Sequence, residues 1–176
     1  MAMKEPYKGK YLTFCDDNGW EWVERNNCRN IVVILPILDG NKTIFVEQFR
    51  KPVRSDVIEF PAGLVGDGDD YDEDIREAAA RELEEETGYR PAKMTYITKG
   101  PASAGLSSES MEIYLAEDLR RIDDGGGVDG ENITVHVVNL DSVIPWLNEQ
   151  EKNGKVIDLK VWSGLYLIDK SLVIKK

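Results

Sequence analysis

The stretch Arg81-Glu82-Leu83-Glu84-Glu85-Glu86-Thr87-Gly88-Tyr89 decides how this chain is read. It sets four glutamates within five residues of what the surrounding pattern makes one helix. At about 100° per residue, Glu82 and Glu86 share a face and Glu85 flanks it. Ile75, Ala78 and Ala79 lie on that same face, and they are the apolar residues that turn such a helix inward. Carboxylates therefore continue an apolar stripe. An unpaired buried carboxylate is very costly, so a cation has to meet these side chains. A hard divalent ion with oxygen ligands is the simplest one.

The acidity is local. Of the chain's net charge of −11, most comes from Asp67 to Glu86, where eleven acidic residues face only Arg76 and Arg81. Such a balance argues against a nucleic-acid or anionic-membrane partner. At 176 residues, 41% hydrophobic and 31% charged, the composition suits one globular domain. The sequence has no apolar run long enough to span a bilayer and no secretory h-region, so a cytoplasmic location is expected. Cys15 and Cys28 are too few for a disulfide framework and read as free thiols.

Outward from the central stretch, Lys10 to Asp16 and Trp20 to Arg25 read as a hairpin around Asn18-Gly19. Ile31 to Leu38 reads as a strand buried on both faces, with Thr43 to Phe49 as its antiparallel partner. Val57 to Phe60 is a short strand, and Gly63 to Asp72 a Gly/Asp-rich loop. Glu73 to Thr87 is the helix, with Gly88 as its C-cap. Met94 to Lys99, Ser110 to Ala116 and Asn132 to Leu140 are strands. Asp141 to Lys152 and Ile157 to Ile168 are closing helices, with Trp146 and Trp162 facing the core. His136, the single histidine, reads as structural. This order predicts an α+β fold, a mixed sheet with packed helices.

Gly63, nine residues, Glu73, seven residues and Arg81-Glu82-Leu83-x-Glu85-Glu86-x-Gly88-Tyr89 together resemble the Nudix box, G-x5-E-x7-R-E-U-x-E-E-x-G-U with U apolar. The second half matches at every fixed position, counting Tyr89 as apolar. The first half carries four extra residues, which put Asp69 at the uninserted spacing of Glu73. Loops accept such insertions at small entropic cost. Glu59-Phe60-Pro61-Ala62-Gly63-Leu64 and Glu47-Gln48-Phe49-Arg50 resemble the ADP-ribose pyrophosphatase and nucleoside-diphosphate-sugar branch. Trp20-Glu21-x-x-x-Arg25 is similar to a segment that holds the base across a dimer interface in that branch. Gly125-Gly126-Gly127-Val128 followed by Glu131 resembles the loop of pyrophosphatases acting on GDP-mannose. Ser103-Ala104-Gly105 departs from the branch, where a proline usually stands at Ala104; this favours a broader nucleotide-sugar preference.

The resemblance implies an α/β/α sandwich over 29–176, preceded by an N-terminal β-hairpin segment, 1–28, used in a homodimer. It implies hydrolysis of the pyrophosphate bond of a small-molecule nucleoside diphosphate sugar, ADP-ribose, GDP-mannose or similar. The cofactor implied is Mg²⁺, with Mn²⁺ as a substitute. Glu82, Glu86 and the carbonyl of Ala62 are the implied metal ligands, with Glu85 shared or water-mediated. Arg81 orients a carboxylate from between Glu77 and Glu85. Glu131 is the first choice of general base, freed to move by the glycines, and Glu109 the second. Trp20, Glu21, Arg25, Arg50 and Leu64 are the implied substrate-binding residues. Glu84 and Glu73 are expected on the outer face, with Glu73 helping to cap the helix. Two alternatives stay open: a sensor that binds ADP-ribose-like ligands without cleaving them, and an enzyme acting on another nucleotide pyrophosphate.

Overall fold

A computed structural model describes residues 4–26, 28–66, 72–128 and 130–169. The decisive helix, α1 (Ile75–Thr87), starts two residues later than expected, because Asp74 rather than Glu73 caps it. Asp74 Oδ1 accepts from the backbone N–H groups of Arg76 (2.9 Å) and Glu77 (3.2 Å). At the other end Gly88 adopts φ 76°, the left-handed conformation that ends a helix most cheaply in glycine. Ala78, Ala79, Leu83, Glu86 and Thr87 are buried.

The helix lies on a mixed eight-stranded sheet. Its strands are β4 (Asn30–Leu38), β5 (Lys42–Arg50), β6 (Ser55–Glu59), β7 (Ala62–Val65), β8 (Tyr89–Pro101), β9 (Ser110–Arg121), β10 (Thr134–Asn139) and β11 (Val156–Ile157). The main order is β11-β6-β5-β4-β9-β8, with β7 pairing β4 and β10 pairing β5. Alternation along β4 separates two cores. Val32 and Ile34 face α1 with Ala78, Ala79 and Leu83. Val33 and Leu35 face the opposite layer, α2 (Val143–Lys152) and α3 (Leu159–Ile168), with Phe45, Phe60, Leu147 and Val161. The result is the expected α/β/α sandwich. Each fully buried Leu or Ile contributes about 1.5–3 kcal/mol by leaving water. Trp146 stacks on Phe45 at 5.7 Å, so it packs against the core as read from the helix pattern.

Several local expectations change. The predicted hairpin is β2 (Leu12–Asp17) and β3 (Trp20–Arg25), and a third strand, β1 (Lys4–Lys8), pairs with β2 to make a separate small sheet. Residues from Gly63 were read as loop, but Ala62–Val65 pairs with β4 over Asn30–Val33. Ile157 belongs to β11, which pairs in parallel with β6, so α3 begins only at Leu159. Leu140–Ser142 is one turn of 3₁₀ helix ahead of α2.

Candidate active site

The pairing of β7 with β4 sets Ala62 and Gly63 against the inner face of α1. The N–H of Ala62 donates to Glu86 Oε2 at 3.1 Å. Gly63 leaves room for Glu82: a Cβ there would lie 1.9 Å from Glu82 Cδ. Glu86 is buried, at 4% exposure. Burial pushes its carboxyl up to about 8, the Ala62 N–H opposes this, and the charges of Glu82 and Glu131 reinforce it. Arg50 also acts on Glu86, in the lowering direction. Helix, strand, loop and β5 thus converge on one carboxylate.

Arg81 holds the neighbouring acids. Its Nε and Nη2 reach Glu73 at 2.9 and 3.2 Å, Nη1 reaches Glu85 at 2.9 Å, and Nη2 reaches Glu82 at 3.0 Å. The carbonyl of Leu64 lies at 3.5 Å from Nη2. The fork to Glu73, then the charges of Glu82 and Glu85, hold the guanidinium firmly in its charged form against the burial that opposes it. Glu73 is therefore Arg81's clamp and not a helix cap, and it faces inward rather than out. The ion-pair partners of Arg81 are Glu73, Glu82 and Glu85 rather than Glu77, the residue expected beside it. Glu84 leaves the cluster and pairs with Arg90 through two bonds of 2.5 and 2.6 Å. Asp69, which competes with Glu73 on spacing, lies outside the described residues.

Among the described residues no three carboxylate, histidine or cysteine side chains converge in a group that could hold a metal ion. Glu82 and Glu85 instead face Arg81, and Glu86 faces Ala62. The donor chemistry still fits a hard divalent cation: oxygen ligands, a buried carboxyl whose raised pKa marks a shortage of positive charge, and the space that Gly63 leaves at Glu82. Glu82, Glu85, Glu86 and the Ala62 carbonyl are the residues that would hold it.

Glu131 follows the glycine loop, and its negative charge helps to raise the Glu86 carboxyl. Gly125, Gly126 and Gly127 all take positive φ, and the loop docks on the end of α1: Gly126 N–H donates to the Glu86 carbonyl (2.9 Å) and Gly127 N–H to that of Glu85 (3.0 Å). The first part of the loop is thus hydrogen-bonded to the end of the helix. Glu131 Oε2 sits 2.6 Å from where a Gly127 Cβ would be. Glu109, by contrast, pairs with Arg25 at 2.7 Å, and both line a separate recess of about 110 Å³ with Arg29 and Asn30. The small N-terminal sheet reaches the same loop, with Val23 N–H donating to the Leu106 carbonyl (2.9 Å). Trp20 and Glu21 are exposed on β3, Trp20 at 67%.

Glu59 and Glu47 hold cationic partners that the sequence pattern does not reveal. Glu59 is buried and accepts from Arg50 Nε at 2.6 Å, which fixes the guanidinium beside Glu86. Glu47 accepts from His136 Nε2 at 2.7 Å and from Lys155. An acidic residue beside Pro61 on a buried strand was the available signal for Glu59; nothing local signals Glu47, whose partners lie far along the chain.

A family model described as NUDIX domain matches residues 29–159. The chain is 36% identical over 121 residues to the ADP-ribose pyrophosphatase of Bacillus subtilis (strain 168), covering 68% of this chain and 63% of the relative. It is 34% identical over 120 residues to the methanol dehydrogenase activator of Bacillus methanolicus, with the same two coverages, 68% and 63%. The match therefore spans less than two thirds of either relative. A crystal structure of an ADP compounds hydrolase shares the fold, with a TM-score of 0.75 at 23% identity, covering 98% of this chain and 92% of that one. Box residues gathered around Glu86, an α/β/α sandwich and a family model spanning 29–159 agree, and the chain belongs to the NUDIX family.

Proposed function

We propose that this protein hydrolyses the pyrophosphate bond of nucleoside diphosphate sugars such as ADP-ribose or GDP-mannose. The products are a nucleoside monophosphate and a sugar phosphate, and the cofactor is Mg²⁺, with Mn²⁺ able to substitute. The observation that carries this reading is Glu86: a buried carboxylate raised to about 8 by burial and by Glu82 and Glu131. The relatives' names support the substrate class, since one is an ADP-ribose pyrophosphatase.

A bound divalent ion supplies charge neutralisation on the diphosphate and makes water a better nucleophile. Glu82, Glu85 and Glu86, with the Ala62 carbonyl, supply its oxygen ligands. Arg81 keeps Glu82 and Glu85 turned inward through its clamp on Glu73. Arg50, oriented by Glu59, offers its remaining N–H groups to a phosphate oxygen. Glu131 accepts the proton of the attacking water. Trp20, Glu21 and Arg25 bind the base, and the N-terminal sheet pairs two protomers in a homodimer that completes this part of the site.

The test is phosphate release, after phosphatase is added, from a nucleotide-sugar panel with and without Mg²⁺. Turnover that depends on Mg²⁺ is expected. Tight binding with no turnover of any member would make the domain a sensor instead.

A further inference from the structure

The turn that joins β5 to β6 concentrates positive charge in an acidic molecule. Arg50, Lys51 and Arg54 set three cations within five residues of a chain whose net charge is −11. Lys51 and Arg54 are exposed, and among the described residues neither forms an ion pair. The turn is wound closely about Arg50, whose carbonyl accepts from the N–H groups of Val53 (3.1 Å) and Arg54 (2.8 Å). A turn closed in this way holds its ends within about 7 Å of each other, so the two further charges start beside Arg50.

Arg50 lies on the face of the sheet that carries α1. Phe45 and Ile58 point to the α2/α3 layer, so alternation turns Val46, Arg50 and Glu59 the other way. Arg50 bonds Glu59 there at 2.6 Å, and the chain runs from Glu59 through Phe60 and Pro61 to Ala62, whose N–H holds Glu86. The helix on that face presents Glu82, Glu85 and Glu86 beside Glu73, with Arg81 among them. A diphosphate approaching such a surface is repelled. Exposed cations act against that repulsion over about a Debye length, 8–10 Å at ordinary ionic strength.

The backbone gives Arg54 separate emphasis. Among the described residues, positive φ outside glycine occurs at Asn18 (55°), Asp39 (53°), Asp118 (56°) and Arg54 (54°). Asn and Asp visit this region most readily because their short side chains bond locally, which an arginine does not do. Glycine would adopt it at lower cost. A guanidinium thus stands where the local conformation favours its replacement.

We propose that Lys51 and Arg54 form an electrostatic capture point for the substrate's diphosphate, drawing it toward Arg50 against the charge of α1. The pair sets the efficiency of capture and takes no part in the chemical step. The inference rests on the proposed pyrophosphatase activity and adds how an anionic substrate reaches an acidic site.

The experiment measures kcat and KM for a nucleoside diphosphate hexose at saturating Mg²⁺ in wild type, Arg54→Gly and the double variant Lys51→Gln/Arg54→Gly. Salt is varied from about 0.1 to about 1 M, which shortens the Debye length from about 10 to about 3 Å. At the low end the double variant is expected to lose about three- to tenfold in kcat/KM, through KM, with kcat unchanged. At the high end the difference should close. Arg54→Gly should melt no lower than wild type and still lose part of this efficiency, which separates lost charge from lost structure. Equal kcat/KM and equal salt dependence in wild type and the double variant overturn the capture assignment and leave the activity standing. A fall in kcat in a variant that melts like wild type overturns it too, by placing the pair in the chemical step. Failure of wild type to cleave the compound overturns the activity and the capture assignment together.

Discussion

Glu86 and Ala62 are joined by one hydrogen bond, from the backbone N–H of Ala62 to Glu86 Oε2 at 3.1 Å. That bond ties α1 to the strand beneath it and partly satisfies the most deeply buried carboxylate of the cluster. A single neutral donor does not offset the desolvation, so the carboxyl stays protonated up to about pH 8.

The metal-free protein should therefore lose stability as pH rises. The group titrates at 4.5 unperturbed and at about 8 when folded. Glu86 costs nothing below the lower value, and its contribution is lost progressively as pH climbs through the upper one. The scale is about 1.4 kcal/mol per unit of difference. Urea unfolding in a chelator across this window should show a downward slope in wild type that Glu86→Gln lacks. Equal slopes in the two proteins would assign the pH dependence elsewhere.

Glu86→Gln should also cut activity by about a hundredfold or more, because it removes a charge that the reaction's transition state needs. The fold should survive, since an amide at this depth carries no charge to desolvate. Circular dichroism and turnover at saturating Mg²⁺ measure the two halves of this statement.

Gly63→Ala tests the space beside Glu82. The added Cβ would lie 1.9 Å from Glu82 Cδ, so the side chain has to move away. The expected result is a several-fold higher Mg²⁺ concentration for half-maximal rate, with a stability loss of about 1–3 kcal/mol from overpacking. A metal titration unchanged from wild type would place Glu82 outside the ligand set.

Glu131→Gln and Glu109→Gln separate the two candidate bases. Loss of a general base costs about 10²–10⁴ in rate, and that loss is expected in kcat for Glu131→Gln. Glu109 pairs with Arg25, so its variant should alter KM through that arginine and leave the pH dependence of kcat in place. The opposite pattern would exchange the roles.

Glu59→Gln weakens the hold on Arg50. Removing one partner of a buried charged pair destabilises by about 3–5 kcal/mol, less here because Arg50 is 42% exposed. KM should rise more than kcat falls, which steady-state kinetics resolves. A fall in kcat alone would mean that Arg50 serves the chemical step.

The parts legible in the sequence were those with short-range periodicity. Asn30–Leu38 is apolar on both faces because helices cover both sides of it, and α1 declares itself through Ile75, Ala78, Leu83 and Gly88. Strand β1 is exposed along its whole length, so no alternation marks it. Ala62–Val65 became a strand only because β4 offers it a partner. Strand β8 runs through Pro91 because it sits at a sheet edge, where a missing N–H is tolerated. At the site, the carboxylates of α1 were visible as a local cluster. The clamps were not, since Glu73 reaches Arg81 across the start of the helix and Glu59 reaches Arg50 across two strands.

The docking of Gly126 and Gly127 on the carbonyls of Glu86 and Glu85 has a consequence for chimeras. The segment bearing Glu131 is indexed to the last turn of α1 by main-chain bonds that ignore side-chain identity. A graft of this loop from a relative will keep its register only if the donor's helix end comes with it. The natural unit of exchange is thus α1's final turn together with the glycine segment, and substrate preference should travel with that pair rather than with either piece alone.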